Sequence, residues 1–444
     1  MAKIGALYPA GGVSLDADAI SPLIRLALPA RALLARAAAL ALTRGATPAL
    51  VGGSVRDLLL GRATIDLDLV VVGDAIGMAR ALHGALGGAD AALLRVHEAF
   101  GTATVIPQGG PPLDLITARR ETYPLPGALP VITPGTLDDD LRRRDFTINA
   151  IALSLDPAVG APLYDPLGGR ADLASGIVRT LHDGSFRDDP TRLLRATRYA
   201  DRLGFAFDPG TAAQFVAAIA AHVFDTISIQ RLSHEFVRLL AEGRAAAMLD
   251  RLAAAGALAQ FAPLLRWGAD ERAAFARLDR LRGALLAAVP ALAGVPLWEL
   301  RFAVLTAALS PADARAAATA LALSGRVGSL VGEVATLVAA LVAEPLPDRD
   351  AALGHRLDGY APAALVAALA YLPPAQERGL RYLLVVRDIE PLLDGLALRA
   401  LGVAPGPIYR EALAALRDFK RERPEADEDA ERAFLVGWLA ASGR

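Results

Sequence analysis

The sequence contains no cysteine, which excludes disulfides, thiolate zinc sites, iron–sulfur clusters and a cysteine nucleophile. Lysine is almost absent: Lys3 and Lys420 are the only two, so positive charge is carried by arginine. The six histidines form neither HExxH nor HxH, which argues against a zinc hydrolase. There is no G-x-G-x-x-G fingerprint and no Walker lysine motif. Excess charge of one sign is missing too, the formal net charge being -2, so a globally basic, histone-like binder is excluded while a local basic groove is not. The N-terminus has no basic-then-apolar signal layout. The Ala/Leu-rich stretches Leu28–Leu42 and Leu323–Val342 are interrupted by charges such as Arg36 and Glu333 and read as buried helices, so a cytoplasmic protein is expected.

What is present is an apolar chain of 444 residues, 54% hydrophobic and 21% charged, long enough for several domains. The first part mixes strands and helices. Ala49–Gly52 reads as a strand entering a glycine turn, Ser54–Leu60 as a short helix, Leu67–Val72 as an apolar strand and Ala75–Leu86 as a helix. Gly101–Ile106 and Leu113–Ile116 read as strands flanking a Gly/Pro turn, which predicts a mixed or antiparallel sheet in an α+β domain. Residues 119–140, with four prolines and the run Asp138-Asp139-Asp140, read as a loop with one ordered edge. From Asp189-Pro190, a helix start, the pattern becomes Leu/Ala/Arg helix broken by Pro and Gly, with no fixed repeat period. The charge run Arg417–Arg432 reads as a solvated helix or a mobile stretch.

The chemistry concentrates around Gly52-Gly53 and Asp66-x-Asp68. Two carboxylates two apart at the mouth of a strand share a face and repel, so the pair calls for a cation or a proton, and oxygen-only donors suit a hard divalent ion, Mg²⁺ above all. A glycine turn leading into a helix brings amides toward an anion. Together they suggest metal-dependent phosphoryl or nucleotidyl transfer.

Gly52-Gly53-x-Val55-Arg56-Asp57-x-Leu59-Leu60-Gly61-Arg62 followed by Asp66-x-Asp68 closely resembles the first motif of the bacterial-type tRNA nucleotidyltransferase and poly(A) polymerase family, part of the DNA-polymerase-β-like superfamily. Arg143-Arg144-Asp145-Phe146-Thr147-Ile148-Asn149-Ala150-Ile151-Ala152 resembles its second motif, and Asp188-Asp189-Pro190-Thr191-Arg192-Leu193-Leu194-Arg195-Ala196-Thr197-Arg198 a third. The likeness covers about residues 47–240, with a short echo at Leu401–Pro407. It implies a catalytic head over residues 1–175, a helical neck over 176–260, and a helical body and tail over 261–444 that bind RNA.

The resemblance also implies roles. Asp66 and Asp68 become the metal-binding carboxylates, and Asp114 is the candidate third acid. Arg143 and Arg144 are candidate triphosphate contacts, their planar forks suiting phosphate oxygens. Asp145 is expected near the nucleotide sugar, and Asn149 either holds the turn or touches that sugar. Arg56 either pairs with Asp57 to orient the glycine turn or reaches phosphate. Asp189 and Arg192 are expected to select the base: a carboxylate accepts from the exocyclic amine of CTP or ATP but faces an oxygen in UTP or GTP. The family more often has Glu-Asp at Asp188-Asp189, so a supporting contact is expected to differ. Arg195 and Arg198 continue toward phosphate or primer. His182-Asp183 and His355-Arg356-Leu357-Asp358 do not supply the adjacent His-Asp signature of an added phosphohydrolase domain, and that activity is not expected. The implied activity is Mg²⁺-dependent addition of C, C and A from CTP and ATP to the tRNA 3′ end at its acceptor arm. A-only or CC-only addition, poly(A) synthesis and a silent RNA binder are the alternatives.

Overall fold

The computed structural model describes residue 23 and residues 25–64, 66–159 and 163–442. They form two compact units, the first running to Glu235 and the second beginning at Phe236.

Among the described residues the first unit has eleven strands: β1 (Thr47–Val51), β2 (Leu67–Val72), β3 (Ala92–His97), β4 (Thr102–Pro107), β5 (Leu113–Thr117), β6 (Arg119–Thr122), β7 (Val131–Pro134), β8 (Ala152–Ser154), β9 (Leu163–Tyr164), and the short parallel pair β10 (Ile177–Val178) and β11 (Ala206–Phe207). Seven of them make one mixed sheet in the order β3-β4-β5-β2-β1-β8-β9. Only β2 and β5 run parallel in it, the remaining neighbours being antiparallel. A parallel pair needs a crossover. Here it is the helix Ala75–Ala85 followed by the β3–β4 hairpin, and that helix packs on β4 and β5. Asp74 starts the helix by accepting the Gly77 N–H at 2.8 Å. The central strands read as near-continuous apolar runs because both faces are covered: Leu50, Val51, Leu69, Val70, Val71, Leu113 and Leu115 are all fully buried.

The segment 119–140 is more ordered than its prolines suggest. β6 and β7 pair antiparallel, and Pro124, Pro126 and Pro130 lie in their connection, where they remove no ladder hydrogen bond. The acidic run then occupies the first turn of a helix, Leu137–Arg142, where the helix dipole favours carboxylates. Thr136 and Asp139 close a capping box there. Further on, the short helix Ser185–Asp188 precedes the helix Thr191–Leu203, which is almost wholly buried and ends at Gly204.

The second unit is helical, with breaks at the Pro and Gly positions read from sequence. The helix Gly325–Ala343 is the one helix among the described residues long and apolar enough to cross a membrane, and much of it is buried. The charge run differs from expectation. It spans the end of helix Pro407–Glu422 and the start of Glu428–Ala441, and part of it is interior: Lys420 pairs with the fully buried Glu431 at 3.2 Å, and Arg421 with Asp358 at 2.8 Å. Glu431 also accepts the N–H of Leu393 at 2.9 Å, and Leu393 belongs to an apolar cluster with Leu398, Ala412, Leu416 and Leu435, so the Lys420–Glu431 pair borders a small core.

Candidate active site

The strand register assembles the acids. Asp68 on β2 lies directly beside Asp114 on the parallel β5, and Thr104 on β4 lies opposite Asp114 and donates its hydroxyl to Oδ1. Asp66 sits one residue before β2 and is exposed. Ser54 staples this entry, donating to the Asp66 carbonyl at 2.8 Å while its Oγ accepts the Asp68 N–H at 3.2 Å. Burial pushes the Asp68 carboxyl up, and Asp114 and Asp66 push it the same way against the opposing pull of Arg144. The structure thus brings Asp68 and Asp114 side by side and keeps Asp66 at the rim. Among the described residues no group of three His, Cys, Asp or Glu side chains closes to metal-ligating distance. A buried carboxylate crowded by two others, with oxygen donors only, fits a hard divalent cation such as Mg²⁺.

The glycine turn serves a close approach. Gly52 has φ +73°, and a Cβ there would lie 2.8 Å from Arg144 Nη1 and 3.3 Å from Asp68 Oδ2. Arg144 therefore passes over Gly52 to reach the acidic edge. Gly52→Ala is expected to cost about 1–2 kcal/mol of stability from the left-handed backbone and up to about a hundredfold in transfer by displacing Arg144. Thermal melting and single-nucleotide incorporation rates measure the two effects, and a wild-type rate would refute the second.

The arginine run divides. Arg142 is on the surface, paired with Asp138 at 2.6 Å. Arg143 and Arg144 converge on the fully buried Asp140, at 2.7 and 2.8 Å. Burial alone would push the Asp140 carboxyl up, but the two guanidiniums bring it below the usual range. Arg143 also donates to Glu121 at 3.0 Å. Tyr123 donates to the same glutamate at 3.1 Å, and burial, first among its causes, lifts the Tyr123 phenol to about 12.

Behind the arginines runs a buried polar chain. Arg56 donates to Asp57 and, at 2.7 Å, to Asn149; Asn149 donates to Asp145 at 2.9 Å. Arg195 Nε donates to Asp145 at 2.8 Å and pairs with Glu235, which Arg198 also engages at 3.1 Å. The guanidiniums of Arg56, Arg195 and Arg198 all lie within 6 Å of the Tyr199 ring. Arg56, Asn149, Asp145, Arg195 and Arg198 are thus linked to one another in the interior, joining the glycine turn to the helix Thr191–Leu203.

At the start of that helix, Asp189 lies in extended backbone between Ser185–Asp188 and Thr191–Leu203, and its Oδ1 accepts the Thr191 N–H at 3.0 Å. Arg192 is buried and donates to Ser185 Oγ at 2.7 Å and to the Arg143 carbonyl at 3.0 Å. Asp188 stands 3.9 Å from His182. Arg143 therefore joins the two ends: its guanidinium lies with Asp140 and Glu121 while its carbonyl holds Arg192. Sequence reasoning missed Thr104, Glu121, Asp140, Ser185 and Glu235. Asp140 carried a signal, its place three and four residues before Arg143 and Arg144 in a helical run. The others are brought in only by tertiary folding.

A mixed sheet that pairs carboxylates in register beside clustered guanidiniums is the head of a nucleotidyltransferase. The Poly A polymerase head domain family matches residues 49–179, and the family described as a probable RNA and SrmB-binding site of polymerase A matches residues 204–267. A CC-adding tRNA nucleotidyltransferase of Deinococcus radiodurans is 36% identical over 406 residues, 89% of this chain and 90% of that one. An A-adding tRNA nucleotidyltransferase of Halalkalibacterium halodurans is 44% identical over 195 residues, 44% of this chain and 45% of that one, so the match spans under half of that relative's length. The solved structure of a Thermotoga maritima CCA-adding enzyme complexed with tRNA_CCA superposes with a TM-score of 0.76 at 25% identity, covering 95% of this chain and 98% of that one. The chain belongs to the tRNA nucleotidyltransferase and poly(A) polymerase family.

Proposed function

We propose that the chain is a template-independent CCA tRNA nucleotidyltransferase that adds C, C and A from CTP and ATP to the tRNA 3′ end. The observation that carries this is the Arg143 junction, which ties Arg192 of the base-reading pair to the arginines nearest the acidic edge. One site can then hold a triphosphate and choose a base without a template. The 3′-hydroxyl oxygen attacks the α-phosphorus of the NTP. A new P–O bond forms, the bond to pyrophosphate breaks, and the hydroxyl proton leaves toward the acidic edge and solvent. Asp66, Asp68 and Asp114 would hold Mg²⁺, which supplies charge stabilisation and a lowered hydroxyl pKa when bound. Arg143 and Arg144 orient the triphosphate, prealigned by Asp140. Asp189 accepts the exocyclic amine of C or A, while an ionised carboxylate facing the oxygen of U or G is left without a donor. Arg56, Asp145, Asn149, Arg195 and Arg198 act as the frame that holds the motifs in place. In this reading residues 1–175 are the head, 176–260 the neck and 261–444 the body and tail. The helical region grips the acceptor arm by shape and phosphate, as suits A-form RNA, in the cytoplasm. The activities named for relatives such as the Thermotoga CCA-adding enzyme support the reading.

CC-only addition is the second reading, favoured by the activity named for the Deinococcus relative that this chain spans almost completely. Three tRNA transcripts, ending before CCA, after C and after CC, separate the two. Each is extended with Mg²⁺ and CTP, ATP, both, or all four NTPs, and the products are sequenced. Ordered C, C, A followed by a stop is expected. A stop after CC, with no A added to the CC-ended transcript, would move the function to CC-only addition.

A further inference from the structure

We propose that Arg231 is a positioning residue for nucleobase choice, acting by fixing which oxygen of Asp189 faces the nucleotide. The inference rests on the reading of Asp189 as the base-selecting carboxylate. Among the described residues, every donor to that carboxylate lies on one oxygen. Oδ1 accepts the Thr191 N–H at 3.0 Å and the Thr191 hydroxyl at 2.6 Å, and the Arg231 guanidinium stands 3.1 Å away. Oδ2 carries none, and the side chain keeps about a fifth of its surface exposed, at 19%. With Oδ1 saturated, Oδ2 is the acceptor left for an exocyclic amine.

Arg231 does this from an anchored position. Its Nη1 donates to the Gly127 carbonyl at 2.8 Å, and Gly127 in turn donates its N–H to the Arg187 carbonyl at 3.2 Å. Gly127 is wedged so closely against Thr226 that a Cβ would lie 2.3 Å from the Thr226 carbonyl oxygen. One guanidinium is therefore shared between the tip of the β6–β7 hairpin and the carboxylate. A carboxylate free to rotate would offer either oxygen in many directions. Clamped at Oδ1, it offers one acceptor in one direction, which is what distinguishes an amine from an oxygen at the same edge of the base.

The test is single-nucleotide incorporation by the full chain with CTP, ATP, UTP and GTP in turn, giving kcat/KM for each, together with inhibition by inorganic triphosphate. Arg231→Met is expected to reduce the preference for CTP over UTP and for ATP over GTP by about tenfold, the loss typical of one charge-assisted contact, with triphosphate inhibition unchanged. Arg231→Lys, which keeps a cation within reach of Oδ1, is expected to restore most of the preference. Thr191→Val, which removes one hydroxyl donor from the same oxygen, is expected to shift it the same way by about threefold and keeps the test open if the Arg231 variants fold poorly. Wild-type preference in both Arg231→Met and Thr191→Val would overturn the proposal, as would an equal loss for all four NTPs and for triphosphate. A parent protein that does not discriminate the four NTPs would overturn the reading of Asp189, and the proposal with it.

Discussion

Asp68→Asn is expected to lower nucleotide transfer by about a thousandfold or more, because the charge stabilisation supplied at such a site is worth several kcal/mol and each 1.36 kcal/mol is a factor of ten. The same change is expected to leave tRNA binding largely in place and not to lower the melting temperature of the metal-free protein. The second half follows from the surroundings of Asp68. Burial raises its carboxyl first of all, and Asp114 in direct register and Asp66 nearby raise it further. A carboxyl raised in the fold is one whose ionised form the fold disfavours. Its cost appears as pH climbs through the folded pKa and is absent below the unfolded one. Asparagine removes that cost together with the ligand charge. For the same reason protons compete with the cation, so the Mg²⁺ concentration giving half-maximal rate should rise as pH falls. Extension assays across pH, gel-shift binding and melting curves in EDTA measure all three. Transfer within tenfold of the parent would remove Asp68 from the reaction, and a large drop in melting temperature would show its charge to be structural.

The acidic edge was legible because its determinants are local. Asp66 and Asp68 are separated by one residue at the head of an apolar run, and the strand Leu67–Val72 forms where that run predicts it. Asp114 was legible only by analogy, and the parallel register that sets it beside Asp68 depends on a long crossover that no local pattern encodes. The hairpin and helix of residues 119–142 were hidden because prolines and an acidic cluster read as breakers when the partner strand and the cap are unknown. The long-range partners were hidden for a deeper reason. Thr104, Glu121 and Arg231 are ordinary surface-type residues in sequence, and only the fold makes each the second half of a charge-assisted contact. The sequence left Arg56 and Asn149 each with two readings, and the structure links both through one hydrogen bond in the interior.

Asp145 is where the resemblance and the geometry pull apart, and Asp145→Asn separates them. The resemblance puts this aspartate near the nucleotide sugar. The structure gives one of its oxygens to the Phe146 N–H and the Asn149 amide, both at 2.9 Å, and the other to Arg195. Burial works to raise the Asp145 carboxyl, but Arg195, Asn149 and Arg192 outweigh it and hold it at about 2. A carboxyl depressed in the fold contributes stability above its unfolded pKa, and that contribution is lost as pH falls toward the folded value. The gap from the ordinary aspartate value to about 2 corresponds to about 2 kcal/mol at neutral pH. Asp145→Asn should therefore weaken the docking of the helix Thr191–Leu203 by that order, leaving Arg195 with a neutral amide on one side and Glu235 as its remaining carboxylate. Amide hydrogen exchange of residues 191–203 is the direct readout. Protection in the variant should fall at pH 7, and the gap from the parent should narrow in pulses taken at pH 3, where the unfolded chain already binds the proton. Unchanged protection with a raised KM for CTP and ATP would instead make Asp145 a nucleotide contact, and the chain from Arg56 to Glu235 would then be a wall of the nucleotide site and not the frame behind it.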